Sequence, residues 1–146
     1  MGKAVRAIII EDGQLLVMRR TKYGSEYFTL VGGQVKKDES LEEALAREVR
    51  EETGLEITSM RPVFYEPHPE PYNEQFVYLC EVAPHGEIAV QQSSEEGFMN
   101  KLEMNIHAPA WVSTRRVETL DFRTPQLQTA LVQALKKGFP QTVVKL

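Results

Sequence analysis

The chain is predicted to fold as one mixed α/β domain, and three observations carry that prediction. A β-branched run, Ala4 to Ile10, meets the turn signal Glu11-Asp-Gly-Gln14 and resumes from Leu15 to Arg20, which reads as a hairpin. Residues 40 to 53 place apolar side chains at helical spacing between a capping motif and a terminating glycine. Near the end of the chain, Leu127, Leu131, Val132 and Leu135 follow Pro125 at the intervals of a packed amphipathic helix.

The remaining elements follow in order. A strand is expected near Tyr27 to Leu30, running into Val31-Gly32-Gly33, where two glycines allow a tight turn and close backbone approach. Ile57 to Tyr65 reads as a strand interrupted by Pro62, which marks an edge or a bulge. Glu66 to Tyr72 holds three prolines and is expected to be an extended loop, followed by a strand from Phe76 to Val82. Gln91 to Pro109 is polar, irregular and longer than an ordinary connection, so it is expected to be a functional loop.

The chain has 146 residues, enough for a single domain with a proper core, and a formal net charge of −4. That charge gives no sign of a face for a nucleic-acid polymer, whereas a free nucleotide remains an acceptable partner. No apolar stretch is long enough to span a membrane and no leader is apparent, so a cytoplasmic location is the expectation. The lone cysteine, Cys80, sits in an apolar run and is expected to be a buried structural thiol. His68 and His107 are expected to be solvent-exposed loop residues, and Trp111 to pack in the core.

The helix between residues 40 and 53 is the most informative segment. Ser40 and Glu43 form a capping box, Asp38 offers an alternative cap, and Gly54 ends the helix. With Leu41 as the reference direction, Leu45, Val49 and Ala44 lie at about +40°, +80° and −60° and define the apolar stripe. Glu48 and Glu52 fall inside the stripe at about −20° and +20°, with Glu51 beside it near −80°. Glu39, Glu42, Glu43 and Arg50 are assigned to the solvent face. Carboxylates on the inward line are costly unless something pairs with them, and these three repel one another at the negative end of the helix dipole. Arg47 is the one cation that the helix itself supplies at a useful angle. An all-oxygen donor set suits Mg²⁺ or Mn²⁺ rather than zinc.

The run from Gly33 to Leu55 resembles the Nudix box. Gly33, Glu39, Arg47, Glu48, Val49, Glu51, Glu52, Gly54 and Leu55 fill every defined position at the right spacing. Val31 stands where that family commonly has Pro, and Asp38 where it commonly has Gly. Phe28 to Gly33, and Trp111-Val112 followed by a terminal helix, are similar to its flanking parts. The resemblance implies a single Nudix domain over residues 1–146, folded as an α/β/α sandwich around a mixed sheet. It also implies a MutT-like pyrophosphohydrolase that splits a nucleoside diphosphate from another linked group.

Carried onto these residues, the resemblance makes Glu48, Glu51 and Glu52 metal ligands, joined by the Gly33 carbonyl, with Mg²⁺ or Mn²⁺ as cofactor. Arg47 would orient a ligand Glu through a bidentate contact, and Glu39 would have a secondary structural or metal-linked role. The base that takes a proton from water comes from the box, with Glu52 the candidate there, or from the 91–109 loop, with Glu95 and Glu96 preferred over Glu103. Tyr72 and Phe98 are the candidates for stacking on a base. Pro71 satisfies the family's rule of thumb for ADP-ribose and Tyr72 that for dinucleoside polyphosphates, so the two signals cancel. The expected partner is a small-molecule nucleotide, with a homodimer as an open assembly. Two other functions fit the scaffold less well: a nucleotide-sensing module without catalysis, and a prenyl-diphosphate isomerase that would use Cys80.

Overall fold

The computed structural model describes residues 2–88 and 105–146. Its strands are β1 (Lys3–Ile8), β2 (Ile10–Glu11), β3 (Gln14–Lys22), β4 (Ser25–Gln34), β5 (Ile57–Pro67), β6 (Glu74–Val82), β7 (Asn105–Ser113) and β8 (Val144–Lys145). Helix α1 spans Leu41–Thr53, a 3₁₀ turn spans Thr114–Thr119, and helix α2 spans Pro125–Lys137. The strand order is β2-β3-β4-β1-β6-β5-β8, with β7 on the other side of β3. β1–β6 and β5–β8 are parallel and the other strand pairs antiparallel, so the sheet is mixed.

Alternation along each strand feeds two cores. Val5, Ala7 and Ile9 face one way and pack with Leu16, Met18, Val31 and the Ala44, Leu45 and Val49 stripe of α1. Ile8, Leu15, Val17, Leu30 and Val77 face the other way and pack with Leu127, Leu131 and Ala134 of α2. The result is the α/β/α sandwich expected from the sequence. Each fully buried Leu, Ile, Val or Met among them contributes roughly 1.5–3 kcal/mol relative to exposure. Among the described residues, no helix is long and apolar enough to cross a membrane.

Several elements depart from the expectation. The first hairpin runs on into a second one: β3 and β4 pair out to Lys22↔Ser25, because Tyr23 (φ 50°) and Gly24 (φ 82°) both take the positive φ of a primed two-residue turn. β4 continues through both glycines, pairing Gly32 with Arg6 and Gly33 with Val5, so they are strand rather than turn. β5 extends to Pro67 and takes Glu66 and Pro67 out of the expected loop. Its register shifts between Pro62 and Phe64, the bulge that Pro62 announced. Residues 105–109 are not loop but the start of β7, which pairs with β3 from Asn105↔Lys22 to Ser113↔Gln14. Its other side has no described strand, and there Pro109 is tolerated without a donor N–H.

Candidate functional site

The site begins where β4 passes β1. A Cβ on Gly32 would lie 1.9 Å from the Val5 carbonyl oxygen and 2.9 Å from the Arg6 Cα, and Gly32 sits at φ 142°, so no other residue fits this crossing. The close approach presents the Gly32 N–H to α1, where it donates to Glu52 Oε1 at 2.8 Å. Glu52 is fully buried, as its place on the inward stripe requires. At Gly33 the same logic applies to Glu48: a Cβ there would stand 2.6–2.7 Å from the Glu48 carboxylate atoms. Gly32 thus lets β4 approach β1 and offers its N–H to Glu52, and Gly33 leaves the room in which Glu48 sits.

Local sequence fixes the helix that delivers them. The Ser40 side chain accepts from the Glu43 N–H at 3.0 Å, and Glu43 Oε1 accepts from the Ser40 N–H at 2.9 Å. Gly54, at φ 79°, closes the other end with its N–H on the Arg50 carbonyl. Both caps match the sequence reading, and Ser40 rather than Asp38 is the N-cap. Asp38 holds φ 66°, a left-handed conformation that aspartate tolerates and that suits the glycine more common there.

Arg47 is the hub. Its Nε and Nη2 grip Glu39 at 2.7 and 3.0 Å, Nη1 reaches Glu48 at 3.0 Å and Glu51 at 3.1 Å, and Nη2 also reaches the Gln34 carbonyl at 3.1 Å. The two-pronged contact therefore goes to Glu39, and the Glu residues of the helix receive single bonds. Glu39 also accepts from the Lys36 N–H, so it is a half-buried tie between loop and helix rather than a solvent-face residue. The Arg47 hydrogen bonds hold the Glu39 carboxyl below its ordinary pKa, and the Glu39 contact in turn raises that of Arg47. Arg47→Lys keeps the charge but cannot reproduce this fork. We expect turnover to fall about 100-fold, because small misplacements of reacting groups cost that much. Kinetic constants equal to the parent's would reduce Arg47 to a surface cation.

Among the described residues, no three His, Cys, Asp or Glu side chains stand together as a group that could hold a metal ion. Glu48 and Glu51 meet on Arg47 and Glu52 on Gly32. Every candidate donor is a carboxylate or backbone oxygen, a chemistry that fits Mg²⁺ or Mn²⁺, and the missing Cβ of Gly33 leaves space for the Glu48 carboxylate. Glu95, Glu96, Phe98 and Glu103 lie outside the described residues. Tyr72, half-buried between β5 and β6, is close enough to Arg6 to act on its charge, as are Glu52 and Glu48.

Sequence reasoning missed Arg6, a buried guanidinium in the otherwise apolar stretch of β1. The signal was present as a single charge inside the β-branched run. His107 also corrects the reading: it is buried on β7, with Nε2 3.4 Å from Arg20 Nη1, and burial, then the Arg20 charge, lowers its pKa to about 4. Its ring titrates near 6.5 when unfolded, so between about pH 6.5 and 4 the unfolded chain binds more protons and stability is lost as the pH is lowered. The full loss is roughly 3 kcal/mol. His107→Gln should flatten the acid limb of a melting-temperature profile over that window. An unchanged limb would show that the ring is not held neutral.

His68 is exposed and Trp111 packs against the α1-side core, as expected. Cys80 is buried and its pKa is pushed up to about 12 by desolvation, which makes it inert rather than the reactive thiol an isomerase would need.

A NUDIX domain model matches residues 1–130. The chain is 33% identical over 84 residues to the NAD-capped RNA hydrolase NudC of Klebsiella pneumoniae subsp. pneumoniae, covering 58% of this chain and 32% of that protein. The NudC of Shigella flexneri is 34% identical over 73 residues, covering 50% of this chain and 28% of that protein. The chain therefore spans about a third of the length of these curated relatives. Among solved structures, a NUDIX hydrolase from Nitrosomonas europaea superposes with a TM-score of 0.69 at 19% identity, over 94% of this chain and 89% of that one. A MutT NUDIX hydrolase from Burkholderia pseudomallei gives 0.62 at 21% identity, over 90% and 95%. At these identities the structural likeness speaks for the fold.

Proposed function

The chain belongs to the NUDIX family, and from that premise we propose that it is a divalent-metal-dependent hydrolase of the pyrophosphate bond in a nucleoside diphosphate linked to another group. The observation that supports this most is the seating of two buried carboxylates against β4, Glu52 on the Gly32 N–H and Glu48 in the space left by Gly33. A fold that only needed a helix on a sheet has no use for two buried carboxylates there.

In this reading Glu48, Glu51 and Glu52, with the Gly33 carbonyl, would hold Mg²⁺ or Mn²⁺, which would supply charge neutralisation at the phosphates and a lowered pKa for water. Arg47 holds the loop carrying Glu39 against the helix, so that Glu48 and Glu51 keep their places as substrate binds. A carboxylate drawn from Glu52, Glu95 and Glu96 takes the proton of the attacking water. Tyr72 and Phe98 stack on the base. The matched relatives are named for NAD-capped RNA, but the net charge of −4 favours a small nucleotide over a polymer.

Formation of nucleoside monophosphate, resolved by chromatography, should be measured over nucleoside triphosphates, ADP-ribose, nucleotide sugars, NAD and dinucleoside polyphosphates. Turnover of at least one class with Mg²⁺, abolished by exhaustive chelation, is expected. Full activity after chelation, or none on any class with metal present, would overturn the reading.

A further inference from the structure

The stretch that follows β6 is tied down by side chains rather than by the sheet. Ala83 donates its N–H to the Glu56 carbonyl at 2.9 Å, and among the described residues no main-chain hydrogen bond holds residues 84–88 beyond that point. Two side chains anchor them instead. Ile88 packs against the α1-side core, and His85 reaches across to β2 and β7. The His85 ring lies within 12° of parallel to that of Trp111 on β7, with centroids 6.1 Å apart. Its Nε2 meets Glu11 Oε1 on β2 at 2.8 Å, and its Nδ1 meets the Gly86 carbonyl at 2.7 Å.

Both of these oxygens are acceptors only. A neutral imidazole carries one N–H, so it donates to one of them and turns a lone pair on the other. The imidazolium, with two N–H groups, satisfies both contacts at these distances. A cationic ring also suits the face of an indole. Among the described residues the charged groups around the ring are few. β2 brings Glu11 to it, β7 offers the uncharged Trp111, and Glu87 of its own segment is exposed and makes no contact with it. The Gly86 carbonyl and then Glu11 raise the pKa of the ring above its ordinary 6.5, against a smaller opposing effect of burial. The stability this contributes is fully present below about pH 6.5 and is lost as the pH rises through the raised value, the opposite sense to His107.

We propose that His85 is a proton-operated clasp: protonated, it fastens residues 83–88 to Glu11 and over Trp111, and on losing its proton it lets the segment lift from both. The step is loss of one ring proton to solvent. It turns one of the two hydrogen bonds into a contact between lone pairs and removes the charge that draws Glu11 and the indole. The clasp does not rest on the hydrolase reading, because none of its groups belongs to the carboxylate site.

The test is hydrogen exchange of the amides of residues 85–88, read across the neutral and mildly alkaline range on the parent and on His85→Gln. Comparison at each pH cancels the base catalysis of exchange. Below the midpoint the parent should exchange these amides about two- to fivefold more slowly than the variant, the worth of a half-exposed ion pair, and above it the two should converge. Trp111, the only tryptophan of the chain, reports the same event, since an imidazolium against an indole quenches its emission more than a neutral imidazole does. Emission should rise with one midpoint above pH 6.5 in the parent and stay flat in His85→Gln. In Glu11→Gln, which keeps an acceptor oxygen but not the charge, the midpoint should move down. His107 titrates near pH 4 and stays out of this window. Emission and exchange indistinguishable between parent and His85→Gln at every pH, an unmoved midpoint in Glu11→Gln, or protection in the parent that persists above the midpoint would overturn the clasp.

Discussion

Glu52→Gln is expected to lower turnover about 100- to 10,000-fold while leaving the metal-free protein as stable as the parent, or slightly more stable. The amide oxygen can keep the 2.8 Å bond from the Gly32 N–H, so shape and the tie to β4 are preserved. What disappears is one negative charge at the C-terminal half of α1, where the helix dipole is unfavourable and Glu48 and Glu51 are neighbours. Added Mg²⁺ should raise the melting temperature of the parent more than that of the variant, because a ligand bound only by the folded state adds about RT ln(1 + [L]/Kd). A structural carboxylate predicts the reverse. Clear destabilisation without metal, together with an unchanged metal-induced shift, would assign Glu52 to the fold rather than the chemistry.

Gly32→Ala is expected to be the most damaging single change to the fold. The added methyl would meet the Val5 carbonyl at 1.9 Å, and that oxygen belongs to the backbone of the central strand β1. Backbone cannot swing aside as a side-chain tip can, and φ 142° is strained for any residue with a Cβ. The combined cost is on the order of 4 kcal/mol or more. In a domain of this size that lowers the melting temperature by about 10 °C or prevents folding. Gly33→Ala differs, because its obstacle is the flexible end of Glu48, so loss of activity should exceed loss of stability. A Gly32→Ala protein melting within a degree or two of the parent would show that β1 and β4 are not locked at this distance.

Much of this arrangement was legible in the sequence, for reasons that differ by element. Helix α1 was readable to within about a residue because both ends are local motifs, Ser40 with Glu43 and Gly54, and its apolar stripe is interrupted by Glu48 and Glu52. The inward direction of Glu48 and Glu52 followed from helix geometry alone. The destination of those carboxylates did not, since it depends on β4 continuing through Gly32 and Gly33 beside β1. β7 was illegible because its first half, Asn105-Ile-His-Ala-Pro, has no alternation of its own and becomes a strand only by pairing with β3. His107 was misplaced with it. Arg6 was hidden in a run whose pattern said apolar strand, and its partners, Gln75 on β6 and the Leu30 carbonyl on β4, are brought to it only by the sheet. Glu39 looked like a solvent-face residue because its partner, Arg47, lies two turns further along the helix.

The proposed hydrolase needs the inward carboxylates of α1 to bind a divalent ion. Titration of Mn²⁺ into the parent and into Glu48→Gln and Glu52→Gln, followed by electron paramagnetic resonance of the free ion, tests it without reference to any substrate. Depletion of the free-ion signal by the parent and markedly weaker depletion by both variants is the predicted result. Equal depletion by all three folded proteins, or none by the parent, would contradict it.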